Sequence, residues 1–293
     1  MDEKIMKFLI TLCLLFPLQA MSATTLWQIS KAGKTLYIGG TVHVLSPRDY
    51  PLPEEFNRAY KQAQKVVFET DLNGMNDPKM QTQWLQRLFY PEGQTLKTHL
   101  KPATYQTLTT YLHSIKLPVQ SVAQFKPTLV MLTLMMNELQ RLGMADSGVD
   151  LYFQHQAVAD GKAIGQLETV EKQLTVLEKM ADGREDEMIL STLNDIKQMP
   201  VLMGDLKKAW RTGDLNKLEA IGITPMRSEF PTLYQTVLVE RNTGWLPKIE
   251  AFLATPETEL ILVGALHLVG KDGLLQRLQR LGYQVEAFRM PLN

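Results

Sequence analysis

Two histidines stand in the same local setting in opposite halves of the chain. The first closes the run Leu36-Tyr37-Ile38-Gly39-Gly40-Thr41-Val42-His43. The second closes Leu260-Ile261-Leu262-Val263-Gly264-Ala265-Leu266-His267. In both, an apolar stretch meets glycine, and histidine follows three residues later. An imidazole so placed can bind a metal or move a proton. Two further short runs end in carboxylates, Lys65-Val66-Val67-Phe68-Glu69 and Lys162-Ala163-Ile164-Gly165-Gln166-Leu167-Glu168. His43, His267, Glu69 and Glu168 together offer nitrogen and oxygen donors without sulfur, a set that suits Zn, Mn, Fe or Co rather than Cu(I). A hydrolytic metal in such a site keeps a position for water and lowers its pKa, while a spare carboxylate serves as general base. Arg241 and Asn242 supply donors able to reach a carbonyl oxygen or its developing oxyanion.

Each of these residues also has a purely structural reading. A strand-end glutamate such as Glu69 can cap the next helix or pair with a surface lysine. Glu168 can sit at a helix N-terminus for the sake of the dipole. Asp150, within Asp146-Ser147-Gly148-Val149-Asp150, reads first as a helix cap. Arg241 can be an ion-pair partner that holds Glu69 or Glu168. His99, His113 and His155 lie in loops or helices and carry no assigned role. Met131, Met135 and Met136 share one apolar helix and read as core filling rather than as a copper site.

The elements that must position the chemistry follow from pattern. Short apolar runs bounded by turn residues fit strands buried on both faces, and ligands of α/β sheets bind outside the carboxyl ends of such strands. Leu26 to Ser30 and Lys34 to Gly39 alternate around a Lys-Ala-Gly-Lys turn and predict a hairpin. Pro53 opens a helix with Glu54 and Glu55 in its first turn. Lys65 to Asp71 is then a strand, which makes a strand–helix–strand unit and places Glu69 close to His43. The stretch from Asp77 to Glu240 is mostly helical, with a core helix over Pro127 to Leu142. Separate helices are expected over Glu185 to Gln198 and Leu202 to Arg211, then over Leu215 to Ile221. Arg241 and Asn242 follow a helix, and Thr243 to Leu253 forms the next one. Asp272 to Leu281 is helical, Gly282 caps it, and Tyr283 to Phe288 is a last strand. The expected fold is α/β: a central mixed sheet built from N- and C-terminal strands with a large, mostly helical middle region.

Composition narrows the class. Of 293 residues 45% are hydrophobic and 21% charged, with 31 basic and 31 acidic side chains. That balance gives no basic surplus to attract nucleic acid. Lys4 and Lys7 precede the apolar run Phe8 to Phe16, and small residues Ala20, Ser22 and Ala23 follow, the layout of a secretory signal. Residues 1–23 are therefore expected to be a cleaved signal peptide, with Met1 and Met6 as alternative starts, and 24–293 a single domain. Cleavage removes Cys13, the one cysteine. The remaining chain then has no thiol chemistry, no disulfide and no membrane span, which suits an exported, periplasmic protein.

Gly40-Thr41-Val42-His43, Phe68-Glu69, Gly148-Val149-Asp150, Leu167-Glu168-Thr169, Glu240-Arg241-Asn242 and Gly264-Ala265-Leu266-His267 occur in an order and spacing that resemble the TraB/GumN family. Relatives of that family include the Tiki metalloproteases. The resemblance runs from about Leu26 to Phe288. It implies a compact α/β fold of the erythromycin-esterase and ChaN-like group. From the Tiki branch it implies divalent-metal-dependent peptide cleavage by two G-x-x-H histidines and a glutamate, roles that fall on His43, His267 and Glu69. The expectation is a secreted metal-dependent hydrolase, a metallopeptidase using Mn, Co or Zn on a peptide or protein substrate. The alternative is a non-catalytic periplasmic protein that binds metal, haem or peptide.

Overall fold

The structure is a computed structural model and describes residues 24–74, 77–181 and 183–290. The signal-peptide reading of residues 1–23 lies outside the described residues. Strands β1 (Leu26–Lys31) and β2 (Lys34–Thr41) form the expected hairpin, with Ala32 and Gly33 at positive φ in its turn. β3 (Val44–Leu45) and β5 (Asp146–Ser147) make a separate two-stranded ribbon. β4 (Lys65–Phe68), β6 (Ala163–Gln166), β7 (Glu259–Gly264) and β8 (Gln284–Ala287) complete the main sheet. Its order is β6-β4-β7-β2-β1-β8. The pairs β6–β4, β4–β7 and β7–β2 are parallel, and β2–β1 and β1–β8 are antiparallel.

The parallel half has the composition that burial on two faces demands: β7 is buried from Glu259 to Val263, and β2 from Leu36 to Thr41. Helix α1 (Glu54–Gln62) buries Phe56, Ala59 and Tyr60 at helical spacing. Gly39 is required beneath it, since a Cβ there would lie 2.7 Å from the Phe56 ring. The helical middle comprises α2 (Pro78–Leu88), α3 (Pro102–Ser114), α4 (Pro127–Arg141), α5 (Val149–Ala159), α6 (Val170–Lys179) and α7 (Glu185–Thr212), with short helical turns between them. α8 (Glu240–Ala254) and α9 (Leu274–Arg280) flank β7 in sequence. Two hydrophobic clusters result. One surrounds the sheet; the other lies inside the helical middle around Leu108, Leu134 and Leu193.

β4 lies near β2, one strand removed: β7 inserts between them and is parallel to both. Two local expectations are corrected. The helix expected to stop before Pro200 runs unbroken through it as α7, its flanking turns held by Ile196 and Met199 in the helical cluster. Arg241 and Asn242 lie inside a continuous helical run rather than past the end of one helix. They lie in the first turn of α8, which continues directly from a π-helical segment, Gln235–Val239.

Candidate active site

The sheet order places the four candidate side chains in a row along one edge. β6 leads to Glu168, β4 to Glu69, β7 to His267 and β2 to His43, and all four strands run in the same direction. The carboxylate strands are locked together past their ends, where Glu168 N donates to the Glu69 carbonyl at 2.8 Å. From the opposite side, the first turn of α8 lowers Arg241 into the row. Glu69, Glu168, Arg241, Asn242 and His267 are all buried, whereas 64% of the His43 side chain is exposed. The site therefore opens at His43.

Arg241 is the hub. Its Nη2 donates to Glu69 Oε2 at 2.5 Å and to Glu168 Oε1 at 2.6 Å, and its Nε donates to Glu168 Oε1 at 3.0 Å. Nη1 donates to His267 Nε2 at 3.1 Å. Glu168 Oε2 also accepts from Trp245 Nε1 at 3.0 Å, and the Trp245 ring lies 4.4 Å from the His267 ring. Burial pushes the Glu69 carboxyl up, but Arg241 and the two histidines outweigh it and leave the group at about 2. One guanidinium serves both buried carboxylates, Glu69 and Glu168.

The two histidines are held through the same ring atom by different partners. His43 Nδ1–H donates to Asp150 Oδ2 at 2.8 Å, and Asp150 is itself fixed by Thr41 Oγ1 at 2.9 Å. Asn242 Nδ2 donates to the carbonyls of His267 and Asp272, which turns its Oδ1 toward His267 Nδ1 at 2.7 Å. An amide oxygen only accepts, so Nδ1 of His267 carries the proton and Nε2 keeps its lone pair. The neighbouring Asp150 carboxylate raises His43 to about 9, while burial depresses His267 to about 3.

Gly264 marks where the groups converge. Its N–H donates to Glu69 Oε1 at 2.7 Å. A Cβ built on it would lie 3.3 Å from Glu69 Oε1, 3.4 Å from His43 Nε2 and 3.7 Å from the His267 ring. Glycine thus keeps a small space open between two imidazoles and a carboxylate. The donor chemistry suits a divalent ion, and Nδ1 contacts that aim Nε2 inward are the usual outer support of metal-bound histidine. The three donors are not free together, however, because Arg241 Nη1 stands on His267 Nε2. Among the described residues no group of three or more His, Cys, Asp or Glu side chains is set to hold a metal as placed.

A profile of the TraB/PrgY/gumN family matches residues 25–287. The chain belongs to this family. Metalloprotease TIKI1 of Danio rerio is 25% identical over 317 aligned residues, which cover 89% of this chain and 62% of the relative. Metalloprotease TIKI1 of Homo sapiens is also 25% identical, over 94% of this chain and 64% of its own length. The uncharacterized protein YbaP of Escherichia coli is 22% identical, covering 82% of this chain and 86% of the relative. The chain thus spans a little over three fifths of these Tiki relatives. No solved structure matches. No described helix is long and apolar enough to cross a membrane.

Of the residues singled out in sequence, His43, His267, Glu69, Glu168, Arg241 and Asn242 all fall in this row. His155 lies apart on the exposed face of α5. Asp150 is not the cap of α5, a position held by Gly148; its carboxylate reaches back to His43 instead. Trp245 went unrecognised, although its spacing four residues after Arg241 puts both on one face of α8. Thr41, inside the first G-x-x-H, was likewise unassigned.

Proposed function

We propose that this family member is an exported metal-dependent hydrolase that cleaves peptide bonds, with His43, Glu69 and His267 as metal ligands. The observation that carries the reading is the pocket at Gly264, where Glu69 Oε1 and His43 Nε2 face one small space beside the His267 ring. The Tiki relatives, which bear the name metalloprotease, support it. A bound divalent ion would supply Lewis-acid polarisation of a carbonyl and a water of lowered pKa.

The chain's own residues divide the remaining work. Asp150 and Asn242 fix both imidazoles by Nδ1. Glu168 and Trp245 hold the Nε side of Arg241, leaving Nη1 with one partner, His267 Nε2. When Arg241 Nη1 leaves that nitrogen, His267 becomes free to bind and Nη1 becomes free to meet a substrate oxygen that gains negative charge. Donors aimed at such an oxyanion are a principal source of rate enhancement. Glu168 is then a positioning residue for Arg241. The same contact, Nη1 on His267 Nε2, favours the second reading, a non-catalytic binding protein in which Arg241 stays put.

Elemental analysis of residues 24–293 after incubation with Mn, Co and Zn separates the readings. The wild type and the His155→Ala variant should retain metal; His43→Ala, His267→Ala and the double variant should lose it. Equal metal in wild type and double variant would sink the ligand assignment. A peptide-library cleavage assay on the loaded protein then tests hydrolysis itself.

A further inference from the structure

Past His267 the chain continues as Leu268-Val269-Gly270-Lys271-Asp272-Gly273, and Asp272 stands outside the row of candidate side chains. A tight turn places it. Gly270 has φ +77°, Gly273 N donates to the Gly270 carbonyl at 3.0 Å, and a Cβ on Gly273 would lie 2.4 Å from the Val269 carbonyl oxygen. The turn brings Asp272 against α8, where its carbonyl accepts from Asn242 Nδ2 at 2.9 Å. Two side chains hold Asp272 there. Tyr234, 3% exposed, donates its hydroxyl to Asp272 Oδ2 at 2.7 Å. Arg277 of α9 donates Nε to the Asp272 carbonyl at 2.9 Å and Nη1 to Thr243 Oγ1 at 2.7 Å, which ties that carbonyl to the residue after Asn242.

The Asp272 carbonyl decides which way the Asn242 amide faces. As placed, Nδ2 meets two carbonyls, of Asp272 and of His267, and Oδ1 accepts from His267 Nδ1. Turned over, the amide would set its oxygen against both carbonyls and its NH2 against Nδ1. The imidazole would then carry its proton on Nε2, and a protonated nitrogen has no lone pair for a metal. Arg241 Nη1 opposes that tautomer only while it stays on Nε2. Ligation by His267 requires Arg241 to leave, and from then on Asn242 alone keeps Nε2 unprotonated. One of the two guiding carbonyls belongs to His267 itself and moves with it. The Asp272 carbonyl is the independent reference. Satisfying the buried Tyr234 hydroxyl would need only the Asp272 carboxylate; a carbonyl held by both Arg277 and Asn242 is surplus to that role.

We propose that Asp272 is a positioning residue for His267: anchored by Tyr234 and Arg277, it holds Asn242 in the one orientation that leaves His267 Nε2 free to bind a metal. The inference deepens the assignment of His267 as a ligand and rests on it, so one of its two readouts is taken without metal.

The first readout is the His267 Nδ1 proton, followed by nitrogen–proton correlation spectra of the imidazole rings in metal-free residues 24–293. It should be sharp and slow to exchange in the wild type and lost to rapid exchange in Asp272→Ala. The second is zinc affinity, measured by competition with a chromophoric chelator. It should fall by about 10–100-fold in Asp272→Ala, the usual cost of losing an outer partner of a metal-bound histidine. Asp272→Asn keeps an oxygen for Tyr234 and should stay near the wild type in both readouts. Tyr234→Phe removes one hydroxyl from an otherwise intact core and should move both in the direction of Asp272→Ala, which keeps the test decisive where the alanine variant fails to fold. Wild-type exchange and wild-type zinc affinity in Tyr234→Phe and in folded Asp272→Ala would overturn the proposal. So would an Asp272→Asn variant as impaired as Asp272→Ala, because charge rather than anchorage would then be acting. A wild type that binds no zinc, with the exchange difference intact, would instead count against the ligand assignment and leave the positioning role standing.

Discussion

One motif, used twice, gives two histidines opposite properties. The Asp150 carboxylate holds His43 charged up to about 9, while burial, with Arg241 beside the ring, leaves His267 uncharged down to about 3. In the metal-free protein Asp150→Asn should bring His43 back toward the ordinary imidazole value of about 6.5. Nuclear magnetic resonance of the His43 ring against pH would show it; an unmoved midpoint would mean that Asp150 is not the cause. Because the folded value is raised, the pair stabilises the fold fully below about 6.5, and that contribution disappears as pH rises through about 9. Solvent screening of the exposed ring keeps the share small. Gly264 invites the complementary experiment. A Cβ at 3.3–3.4 Å from Glu69 and His43 needs only a slight shift, so Gly264→Ala should alter stability by less than about 1 kcal/mol. Yet it fills the space between the donors, so metal retention should fall sharply. Full retention of metal in Gly264→Ala would place the ion elsewhere.

Among the elements, strands were more legible than their neighbours. The runs before His43, Glu69, Glu168 and His267 each formed a strand, because short apolar stretches that end in glycine or a charge leave few alternatives. Their order was harder to read. Glu69 was expected close to His43 with its strand near β2, and β7 lies between the two strands. The two groups still meet, over Gly264, because β7 ends in a residue with no side chain. Pattern alone does not tell which distant strand wins a central slot, since that choice depends on packing across the whole sheet. The role of Asp150 was hidden for a related reason: a carboxylate in a first helical turn suits the dipole wherever it points. What aims it is Gly148. The backbone of α5 touches the segment just past β2 there, with Val149 N donating to the Val42 carbonyl at 3.1 Å. A Cβ on Gly148 would overlap the His43 carbonyl carbon and oxygen. Gly148→Ala should therefore cost roughly 3 kcal/mol and free His43 from Asp150 at the same time. A chemical denaturation curve matching wild type would refute the close approach.

At the scale of the molecule, α7 is the member that joins sheet to helical middle. Ile189, Leu193, Ile196 and Met199 belong to the helical cluster, and Ala209 and Trp210 to the sheet cluster. The far end is pinned by polar contacts: Trp210 Nε1 donates to the Gly40 carbonyl at 2.6 Å, and Arg211 Nη1 to the Asp49 carbonyl at 2.7 Å. Lys207 Nζ reaches the Asp49 carboxylate at 2.8 Å, which also accepts from Ser46 Oγ at 2.6 Å. α7 thus grips the loop that follows the first G-x-x-H, while its other half is buried in the helical cluster. The grip is a titratable one. Burial pushes Asp49 up, but Lys207 and Ser46 outweigh it and hold the group below its ordinary value. A depressed carboxylate stabilises the fold above the unfolded value of about 3.9, and the contribution is lost as pH falls toward the folded value. Asp49→Asn should accordingly lower the melting temperature near neutral pH. A charge-assisted contact contributes about 1.5–3 kcal/mol, and at roughly 2–4 °C per kcal/mol the shift is several degrees. The gap between variant and wild type should then begin to close as pH falls past about 4 and vanish once it reaches the lower folded value, where Asp49 of the folded wild type is protonated too. A gap that stayed constant from neutral to acid pH would mean that Asp49 acts through shape alone, and that α7 is fixed to the sheet by Trp210 and Arg211.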